Sequence, residues 1–233
     1  MLRALAELLF PLGCAGCRGP VASELFCDDC LPLVETLPAW RCRLCSGNLP
    51  PPIRRGDTAG LCAGCTEGRP GFDGVWAPFV YGGPVAQAIH RLKYRGERGL
   101  AARLAVPLVE AGREALAVVD AIVHLPAHPV RRRERGFDQA AILAAALAAA
   151  GAGSHDRRAL RRLRSDGHQV GRGREDRGAA MKGAFRAMAE ASGRSFVLVD
   201  DVVTTGATAD AAARALKEAG ARQVFVLALA RAL

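Results

Sequence analysis

The segment Val197-Leu-Val-Asp-Asp-Val-Val-Thr-Thr-Gly-Ala-Thr208 carries the most structural information in this chain. An apolar run ends in two adjacent acids, Asp200 and Asp201, and a turn rich in Thr and Gly leads into an Ala-rich helix. A strand that enters such a turn places backbone N–H groups at a helix start, where they can hold a phosphate. The two carboxylates precede the turn and can accept hydrogen bonds from hydroxyl groups. A ribose 5-phosphate carries both a phosphate and hydroxyl groups, and the segment therefore predicts a site for such a ligand.

The same residues resemble the signature of type I phosphoribosyltransferases, an apolar strand followed by two acids and a small-Thr-Thr-Gly-x-Thr loop. The resemblance implies that Asp200 and Asp201 hold the ribose hydroxyls of phosphoribosyl pyrophosphate (PRPP) and form the catalytic pair. It also implies that the 5-phosphate is held by the turn residues Thr204, Thr205, Gly206, Ala207 and Thr208. The alternative is a buried strand whose acids cap the next helix, although a cap needs one acid rather than two followed by this loop.

Eight cysteines precede residue 66, and all of them occur in Cys-x-x-Cys pairs. They are Cys14/Cys17, Cys27/Cys30, Cys42/Cys45 and Cys62/Cys65. Two such pairs supply the four thiolates of a tetrahedral structural zinc site, so four pairs predict two Zn²⁺ ions. The segment is rich in Gly and Pro and poor in large apolar residues, and metal binding would supply folding free energy on the order of 10 kcal/mol per site.

Two points about the cysteines stay open at the level of sequence. Disulfides or an iron–sulfur cluster are alternatives to zinc, but disulfides suit a secreted chain and no secretion signal is recognised. The simplest grouping is sequential, with Cys14 to Cys30 on one ion and Cys42 to Cys65 on the other. A cross-braced grouping of the first pair with the third and the second with the fourth is the alternative.

Composition and charge restrict the protein class. The 233 residues are 50% hydrophobic but only 5% aromatic, and the net charge is +9. Arginine clusters at 131–135, 157–164 and 172–177 suit a pyrophosphate or a nucleic acid, or form a solvated basic surface. No segment is long and apolar enough to span a membrane. Residues 2–11 predict a short amphipathic helix rather than a signal, so the expected location is the cytoplasm.

The remaining sequence alternates between strand-like and helix-like stretches. Strands are predicted near 75–81, 120–126, 195–200 and 223–229, and helices between them include 99–117. The basic segment 130–136 is predicted to be a loop, and 165–178 a mobile loop. Alternating strands and helices imply right-handed crossovers and a parallel sheet. The predicted fold is α/β, with a double zinc-ribbon domain at 1–71 and a parallel-sheet, phosphoribosyltransferase-like domain at 72–233.

The wider pattern looks like the bacterial ComF family, which joins a double zinc ribbon to a phosphoribosyltransferase-like domain. The resemblance rests on the cysteine pairs, the Asp-Asp segment and four further stretches, namely Ile89–Tyr94, Arg135–Gln139, Gln169 and Gly183–Phe185. It implies that Lys93 and Arg135 contribute to PRPP binding. Family members commonly have Asn where this chain has Asp138, which would weaken an anion contact there. The resemblance also implies a link to natural competence, with imported single-stranded DNA and DNA-uptake proteins as partners.

Three functional hypotheses follow. The first is a phosphoribosyltransferase of nucleotide metabolism, in which Mg²⁺ neutralises the pyrophosphate of PRPP and a nucleobase-like acceptor takes the ribose phosphate. Donors to the pyrophosphate are expected in the turn at 126–128 and at Arg131–Arg133, and a loop with Gln169, Arg172, Arg174 and Arg177 is expected to close over the site. The second is a PRPP-binding module of DNA uptake. The third, a degenerate scaffold, is disfavoured by the intact acids and turn.

Overall fold

The computed structural model describes residues 13–22, 24–51, 60–95, 97–163, 183–188 and 191–233. The N-terminal helix expected at 2–11 and the loop expected at 165–178, with Gln169, Arg172, Arg174 and Arg177, lie outside these residues. The strands are β1 (Gly74–Trp76), β2 (Phe79–Val80), β3 (Ala121–His124), β4 (Leu160–Arg162), β5 (Phe185–Ala187), β6 (Ser195–Val203) and β7 (Gln223–Arg231). The helices are α1 (Ala63–Glu67), α2 (Gly83–Arg95), α3 (Arg98–Ala111), α4 (Arg113–Leu116), α5 (Pro129–Arg135), α6 (Gln139–Ala149) and α7 (Ala207–Glu218).

The main sheet is parallel, which confirms the predicted α/β class. Strand β7 lies between β6 and an edge formed by β1 and then β2, and β6 lies between β7 and β3. All of these pairings are parallel, and β4 and β5 form a separate antiparallel hairpin. Strands β6 and β7 have nine residues each, and apart from Asp200, Val202 and Gln223 all of them are buried. Central strands covered on both faces read as continuous Val, Leu and Phe runs.

Two hydrophobic layers cover the two faces of this sheet. Side chains of α2, α3 and α6 pack on one face against Val197, Val199 and Leu227. Side chains of α7 and the β4–β5 hairpin pack on the other face against Phe196 and Leu198. The alternation of neighbouring residues along β6 is therefore what assigns each of its side chains to one helical layer or the other.

Four local predictions were wrong. Segment 130–136 lies largely in α5, because Pro129 occupies the first turn and the His128 ring accepts a hydrogen bond from the Val130 N–H (3.3 Å). The predicted helix at 99–117 breaks at Gly112, where a Cβ would lie 2.8 Å from Leu227. The strand at 75–81 is divided into β1 and β2. Strand β6 continues to Val203, three residues beyond the predicted end at Asp200, so both acids lie inside the strand.

The cysteine-rich segment packs on the parallel-sheet part. Phe26 meets the ring of Phe79 edge-on, with centroids 6.0 Å apart. Cys14 and Ala15 are fully buried in the layer formed by α2 and α3, and Cys42 and Leu44 are buried in the opposite layer. The two halves of this segment thus cover different faces of the sheet. Across the part of the chain that the structure describes, every helix falls short of the length and apolarity needed to cross a bilayer.

Candidate phosphoribosyl site and cysteine clusters

The paired acids lie near the carboxyl end of β6, where ligands bind in open parallel sheets. Asp201 is 4% exposed, and Asp200 is partly exposed. One carboxylate oxygen of Asp200 accepts a hydrogen bond from the Asp201 N–H at 2.8 Å. Successive residues on a strand point to opposite faces, so the two side chains diverge across the sheet.

Asp201 is paired with a lysine from a distant helix. Lys93, in the last turn of α2, places its Nζ atom 3.1 Å from Asp201 Oδ1. The other oxygen, Asp201 Oδ2, is buried and has no hydrogen-bond partner among the residues that the structure describes. A buried carboxylate oxygen without a partner is costly. The structure therefore brings the predicted residues Lys93 and Asp201 together, and it pairs only one of the two carboxylate oxygens among the described residues.

The carboxyl of Asp200 is harder to ionise than an ordinary aspartate. Burial raises its pKa well above the usual value, and the negative charge of Asp201 raises it further. The N–H of Asp201 and the charge of Lys93 act in the opposite direction, but they do not outweigh burial. A raised carboxyl pKa is common at functional sites, because such sites hold charges that a ligand later compensates.

The predicted phosphate turn follows β6 directly. Thr204 and Thr205 are exposed, and Gly206 has a φ of +80°, a conformation that glycine adopts without strain. Helix α7 begins at Ala207, whose N–H donates to Thr205 Oγ1 at 3.3 Å. The structure thus brings the five predicted turn residues to the start of a twelve-residue helix, with two hydroxyls at the surface. Such a helix start offers N–H donors and a positive dipole end to an anion.

A cleft of about 910 Å³ opens beside this turn. Its walls include Thr204 to Ala207 and three cysteines, Cys45, Cys62 and Cys65. Neither Asp200 nor Asp201 lines it. The turn therefore borders a cleft shared with the cysteine segment, while Asp201 points into the layer that contains α2.

The turn after β3, predicted to bind pyrophosphate, is partly occupied by protein contacts. The N–H of Ala127 donates to Asp138 Oδ2 at 2.9 Å, and the carbonyl of Pro126 accepts a contact from Arg162 Nη1 at 3.5 Å. Asp138 Oδ1 also accepts from the N–H groups of Ala140 and Ala141 at the start of α6. Asp138 is thus a helix cap and a brace of this turn, which its acidity alone did not indicate.

Arginines border the same end of the sheet. Arg131, Arg132 and Arg133 are exposed on α5. The guanidinium of Arg135, a predicted PRPP ligand, lies 4.9 Å from the centre of the Tyr94 ring, and its Nη1 atom donates to Gln139 Oε1 at 3.0 Å. Tyr94 follows Lys93 on α2, so Arg135 contacts the residue next to the lysine that pairs with Asp201.

Sequence reasoning missed a histidine pair beneath the pyrophosphate turn. His124 ends β3, and its Nδ1 lies 3.1 Å from Nε2 of His155. Burial lowers the pKa of both rings, that of His155 to about 4, and the charges of His124 and Arg157 add to the shift at His155. The sequence shows each histidine alone, and the only hint was the position of His124 at a strand end.

Arg162 and Arg231 were also missed as neighbours of the site. Arg162 ends β4 and lies over the ring of Phe185 at 5.2 Å. The pKa of Arg162 is lowered, chiefly by burial. The negative charges of Asp200 and Asp138 act in the opposite direction but do not outweigh it. Arg231 ends β7 and is 6% exposed, and it donates to the carbonyls of Val203 and Thr204. A charged residue at the end of an apolar strand was the available hint for Arg231.

The eight cysteines form two groups of four, grouped sequentially. In each group one ligand sulfur per residue lies within 4.8 Å of the others. The groups are Cys14, Cys17, Cys27 and Cys30, called here the first cluster, and Cys42, Cys45, Cys62 and Cys65, called the second cluster. None of the eight forms a disulfide. Four thiolates around a tetrahedral zinc, with Zn–S bonds of about 2.3 Å, would lie about 3.8 Å apart, so both clusters fit such an ion.

Backbone donors prepare one thiol of each cluster for ionisation. Burial alone would raise the pKa of Cys14 and of Cys42, but hydrogen bonds from backbone N–H groups outweigh it and lower both to about 6. The N–H of Cys27 donates to Cys14 Sγ, and the N–H of Cys62 donates to Cys42 Sγ. The second pair of each cluster therefore supports a thiolate of the first pair, as a metal site requires.

Comparison with known proteins gives three findings. Residues 135–232 match the family described as "Phosphoribosyl transferase domain". "Competence protein F" of Haemophilus influenzae is 28% identical over 233 residues, which cover 96% of this chain and 98% of that protein. "DNA utilization protein YhgH" of Escherichia coli K12 is 32% identical over 177 residues, which cover 74% of this chain and 78% of that protein.

Among solved structures, a glutamine phosphoribosylpyrophosphate amidotransferase from B. subtilis, complexed with ADP and GMP, is similar at 22% identity and a TM-score of 0.36. The match covers 55% of this chain and 25% of that one. The family match over 135–232 includes Arg135, the two acids and the phosphate turn, whereas Lys93 and both cysteine clusters precede it.

Proposed function

This chain belongs to the ComF family, which includes Competence protein F and DNA utilization protein YhgH, and from that premise we propose that its Asp-Asp segment and phosphate turn bind PRPP or a related ribose phosphate. Asp200 and Asp201 accept hydrogen bonds from the ribose hydroxyls. The residues from Thr204 to Thr208 hold the 5-phosphate. The protein then acts in DNA uptake and in handling imported single-stranded DNA.

The observation that carries the proposal is the buried oxygen of Asp201. Oδ1 has Lys93 as its partner, but Oδ2 has none among the described residues. The Asp201 side chain is only 6% exposed, so water has little access to this oxygen. A ribose hydroxyl that donates to Oδ2 would remove the cost of this missing hydrogen bond. A capping acid would instead direct its oxygens to N–H groups of the helix that follows. Asp201 is paired with α2, so the cap alternative is not supported.

The phosphate end of the ligand is supported by a separate feature. Gly206 in the left-handed conformation turns the chain sharply from β6 into α7, and the N–H groups in the first turn of a helix have no partner within the helix. Thr204 and Thr205 add exposed hydroxyls beside them. These donors bind a phosphate without any basic side chain. The proposal thus assigns the sugar to the strand end and the phosphate to the turn.

A pyrophosphate group of the ligand requires additional positive charge. Mg²⁺ bound with PRPP would neutralise part of the pyrophosphate charge, and the carboxylates of Asp200 and Asp201 are oxygen ligands of the type that Mg²⁺ accepts. From the chain itself, Lys93 lies beside Asp201, and Arg135 and the exposed Arg131 to Arg133 lie along α5. Their role in the proposal is to attract and orient the anion.

We assign Zn²⁺ to both cysteine clusters as structural ions. Each cluster supplies four thiols, leaving no position for a substrate. When bound, zinc would fix the two Cys-x-x-Cys turns of each cluster relative to one another. The reducing cytoplasm, which keeps thiols available for metal, is the location that this assignment favours. The double zinc-ribbon domain at 1–71 and the phosphoribosyltransferase-like domain at 72–233 form part of the same proposal.

Calorimetric titration with PRPP and Mg²⁺ tests the ligand assignment. We expect the wild type to bind and the double variant Asp200→Asn/Asp201→Asn to bind at least tenfold more weakly. A matched control is Asp28→Asn/Asp29→Asn, which removes two adjacent exposed acids within the first cluster and retains full affinity. Equal affinity of the three proteins, or absence of binding by the wild type, would refute the proposal.

Transfer of the ribose phosphate is the alternative function. It is tested by measuring Mg²⁺-dependent release of pyrophosphate from PRPP with a panel of nucleobases as acceptors. Release that depends on an acceptor and is lost in Asp200→Asn/Asp201→Asn establishes a transferase. PRPP binding without release, over the whole panel, leaves the binding function alone.

The DNA role is tested on the exposed arginines of α5. The net charge of +9 and the three exposed arginines 131–133 favour binding of a polyanion. We expect oligonucleotide binding that weakens steeply with salt, and weaker binding with a smaller salt slope for Arg131→Gln/Arg132→Gln/Arg133→Gln. Absence of binding at low salt would refute this part of the proposal.

A further inference from the structure

Arg231 is a buried arginine that joins two separate parts of the molecule. It ends β7 and is 6% exposed. Its Nε donates to the carbonyl of Cys45 at 3.0 Å, and its Nη1 donates to the carbonyls of Val203 (3.0 Å) and Thr204. Cys45 belongs to the second cluster, and Thr204 is the first residue of the phosphate turn. One guanidinium group therefore connects a predicted metal ligand with the predicted phosphate turn.

The neighbours of Cys45 hold this contact in place. The hydroxyl of Ser46, a residue that is 4% exposed, donates to the carbonyl of Val75 in β1 at 2.6 Å. A Cβ at Gly47 would lie 3.3 Å from Arg231 Nη2, so glycine allows the backbone to approach the guanidinium closely. The turn after Cys45 is thus fixed to the sheet on one side and to Arg231 on the other.

Two arginines donate hydrogen bonds to the backbone around the first cluster, but they come from helices α2 and α3. Arg103 of α3 donates to the carbonyls of Gly13 (2.7 Å), which precedes Cys14, and of Leu25 (3.3 Å), two residues before Cys27. Arg91 of α2 donates to the carbonyls of Cys14 and Ala15. These arginines attach the first cluster to helices, and within the described part of the chain neither of them contacts the phosphate turn. The second cluster is the one attached to the turn.

We propose that Arg231 is a positioning residue through which metal binding at the second cluster orders the phosphate turn. A metal ion that holds Cys45 fixes the carbonyl to which Arg231 donates. The guanidinium then holds the carbonyls of Val203 and Thr204, and this sets the direction in which the turn presents its N–H groups. The second cluster and the phosphate turn are in this way coupled, and each stabilises the ordered form of the other. As far as it names a ribose phosphate as ligand, this inference rests on the proposed function.

The ligand-independent test is hydrogen–deuterium exchange at residues 204–208 in the full chain, with zinc content measured on the same samples. Arg231→Lys keeps the charge but cannot reach several carbonyls at once. We expect it to speed exchange at the turn by about tenfold, the effect of losing one hydrogen bond to a charged donor. The matched variant Arg103→Lys, which affects the first cluster, leaves exchange at the turn unchanged. Equal exchange at the turn in Arg231→Lys and the wild type would overturn the inference.

Removal of a metal ligand provides a second test, which does not depend on an arginine variant. Cys62→Ser removes a ligand of the second cluster, and Cys27→Ser removes one of the first. We expect faster exchange at 204–208 in Cys62→Ser alone, and little further increase when Cys62→Ser is added to Arg231→Lys. Equal effects of the two cysteine variants, or a wild-type chain that holds fewer than two zinc ions, would overturn the inference.

Titration with ribose 5-phosphate separates this inference from the proposed function. We expect Cys62→Ser and Arg231→Lys to bind about tenfold more weakly than the wild type, and Cys27→Ser and Arg103→Lys to bind like it. A wild type that binds neither ribose 5-phosphate nor PRPP with Mg²⁺, but shows the expected exchange pattern, would refute the proposed ligand and leave the coupling supported. Binding that is equal in all five proteins would overturn the coupling and leave the ligand supported.

Discussion

Lys93 Nζ lies 3.1 Å from Asp201 Oδ1, and this ion pair joins the end of α2 to the carboxyl end of the central strand β6. The Asp201 side chain is almost fully buried, while about a quarter of the Lys93 side chain is exposed to solvent. The pair therefore has one end in the protein interior and one end near solvent. Removing the lysine would leave a buried carboxylate with neither oxygen paired, since Oδ2 already lacks a partner among the described residues.

Lys93→Met should lower the free energy of unfolding. Loss of one partner of a buried ion pair costs about 3–5 kcal/mol, and the partial exposure of Lys93 reduces this to about 1–3 kcal/mol. Lys93→Arg keeps the charge and should lose less of the free energy of unfolding. Urea denaturation of the wild type and the two variants measures these differences. The double variant Lys93→Met/Asp201→Asn should recover part of the loss, and a Lys93→Met protein as stable as the wild type would contradict the interpretation.

The raised pKa of Asp200 predicts that ligand binding depends on pH. A charged carboxylate is the better acceptor for ribose hydroxyls. Burial and the negative charge of Asp201 raise the pKa of Asp200, so this carboxyl becomes charged only at a higher pH. We expect affinity for ribose 5-phosphate, measured by calorimetry, to go on rising with pH above the range in which an ordinary aspartate ionises. The phosphate itself ionises near pH 6, so Asp200→Asn is the reference. The variant should show a smaller rise, and parallel pH curves would show that Asp200 does not titrate in this range.

Asp138 should show opposite effects on stability and on anion binding. Asp138→Ala removes the cap of α6 and the brace on Ala127, and it should lower the free energy of unfolding by about 1–2 kcal/mol. Asp138→Asn retains a capping oxygen and should lose less. It also removes a negative charge near Asp200 and releases the Ala127 N–H. Calorimetry should therefore show tighter pyrophosphate binding to Asp138→Asn than to the wild type, and weaker binding would contradict this role of Ala127.

The histidine pair should make the fold less stable in mild acid. In the folded chain the pKa of His155 is about 4, below its usual value of 6.5. Between these pH values the unfolded chain binds more protons than the folded chain. The free energy of unfolding therefore falls as the pH is lowered from about 6.5 to about 4, by on the order of 1–2 kcal/mol for His155, because solvent around the partly exposed ring reduces the full effect of the shift. It is fully restored above pH 6.5.

Thermal denaturation of the wild type and of His155→Gln at several pH values measures this contribution. The difference in melting temperature between the two proteins should shrink or reverse as the pH falls, because the glutamine does not titrate. Loss of zinc in acid affects both proteins alike and cancels in the difference. A difference that stays constant with pH would show that His155 does not contribute.

Local sequence was sufficient for the features that depend on spacing along the chain. The gap of two residues within each cysteine pair brings two thiols into one turn, and the sequence of acids, Thr and Gly places donors at a helix start. The α/β class followed from the alternation of apolar runs and helical stretches. The parallel sheet confirms that class, and the chain belongs to the family that these motifs resemble.

The contacts that complete the site required the tertiary structure. Arg231 and Cys45 are separated by 186 residues, and no local pattern indicates that they meet. Similarly, the sequence shows two neighbouring acids as equivalent, whereas strand alternation directs them to opposite faces and gives only Asp201 a lysine partner. The pairing of distant side chains depends on which helix packs on which face of the sheet. For this reason the sequence alone determined the chemical groups of the site, and packing of the whole chain decided their partners, their burial and their charge.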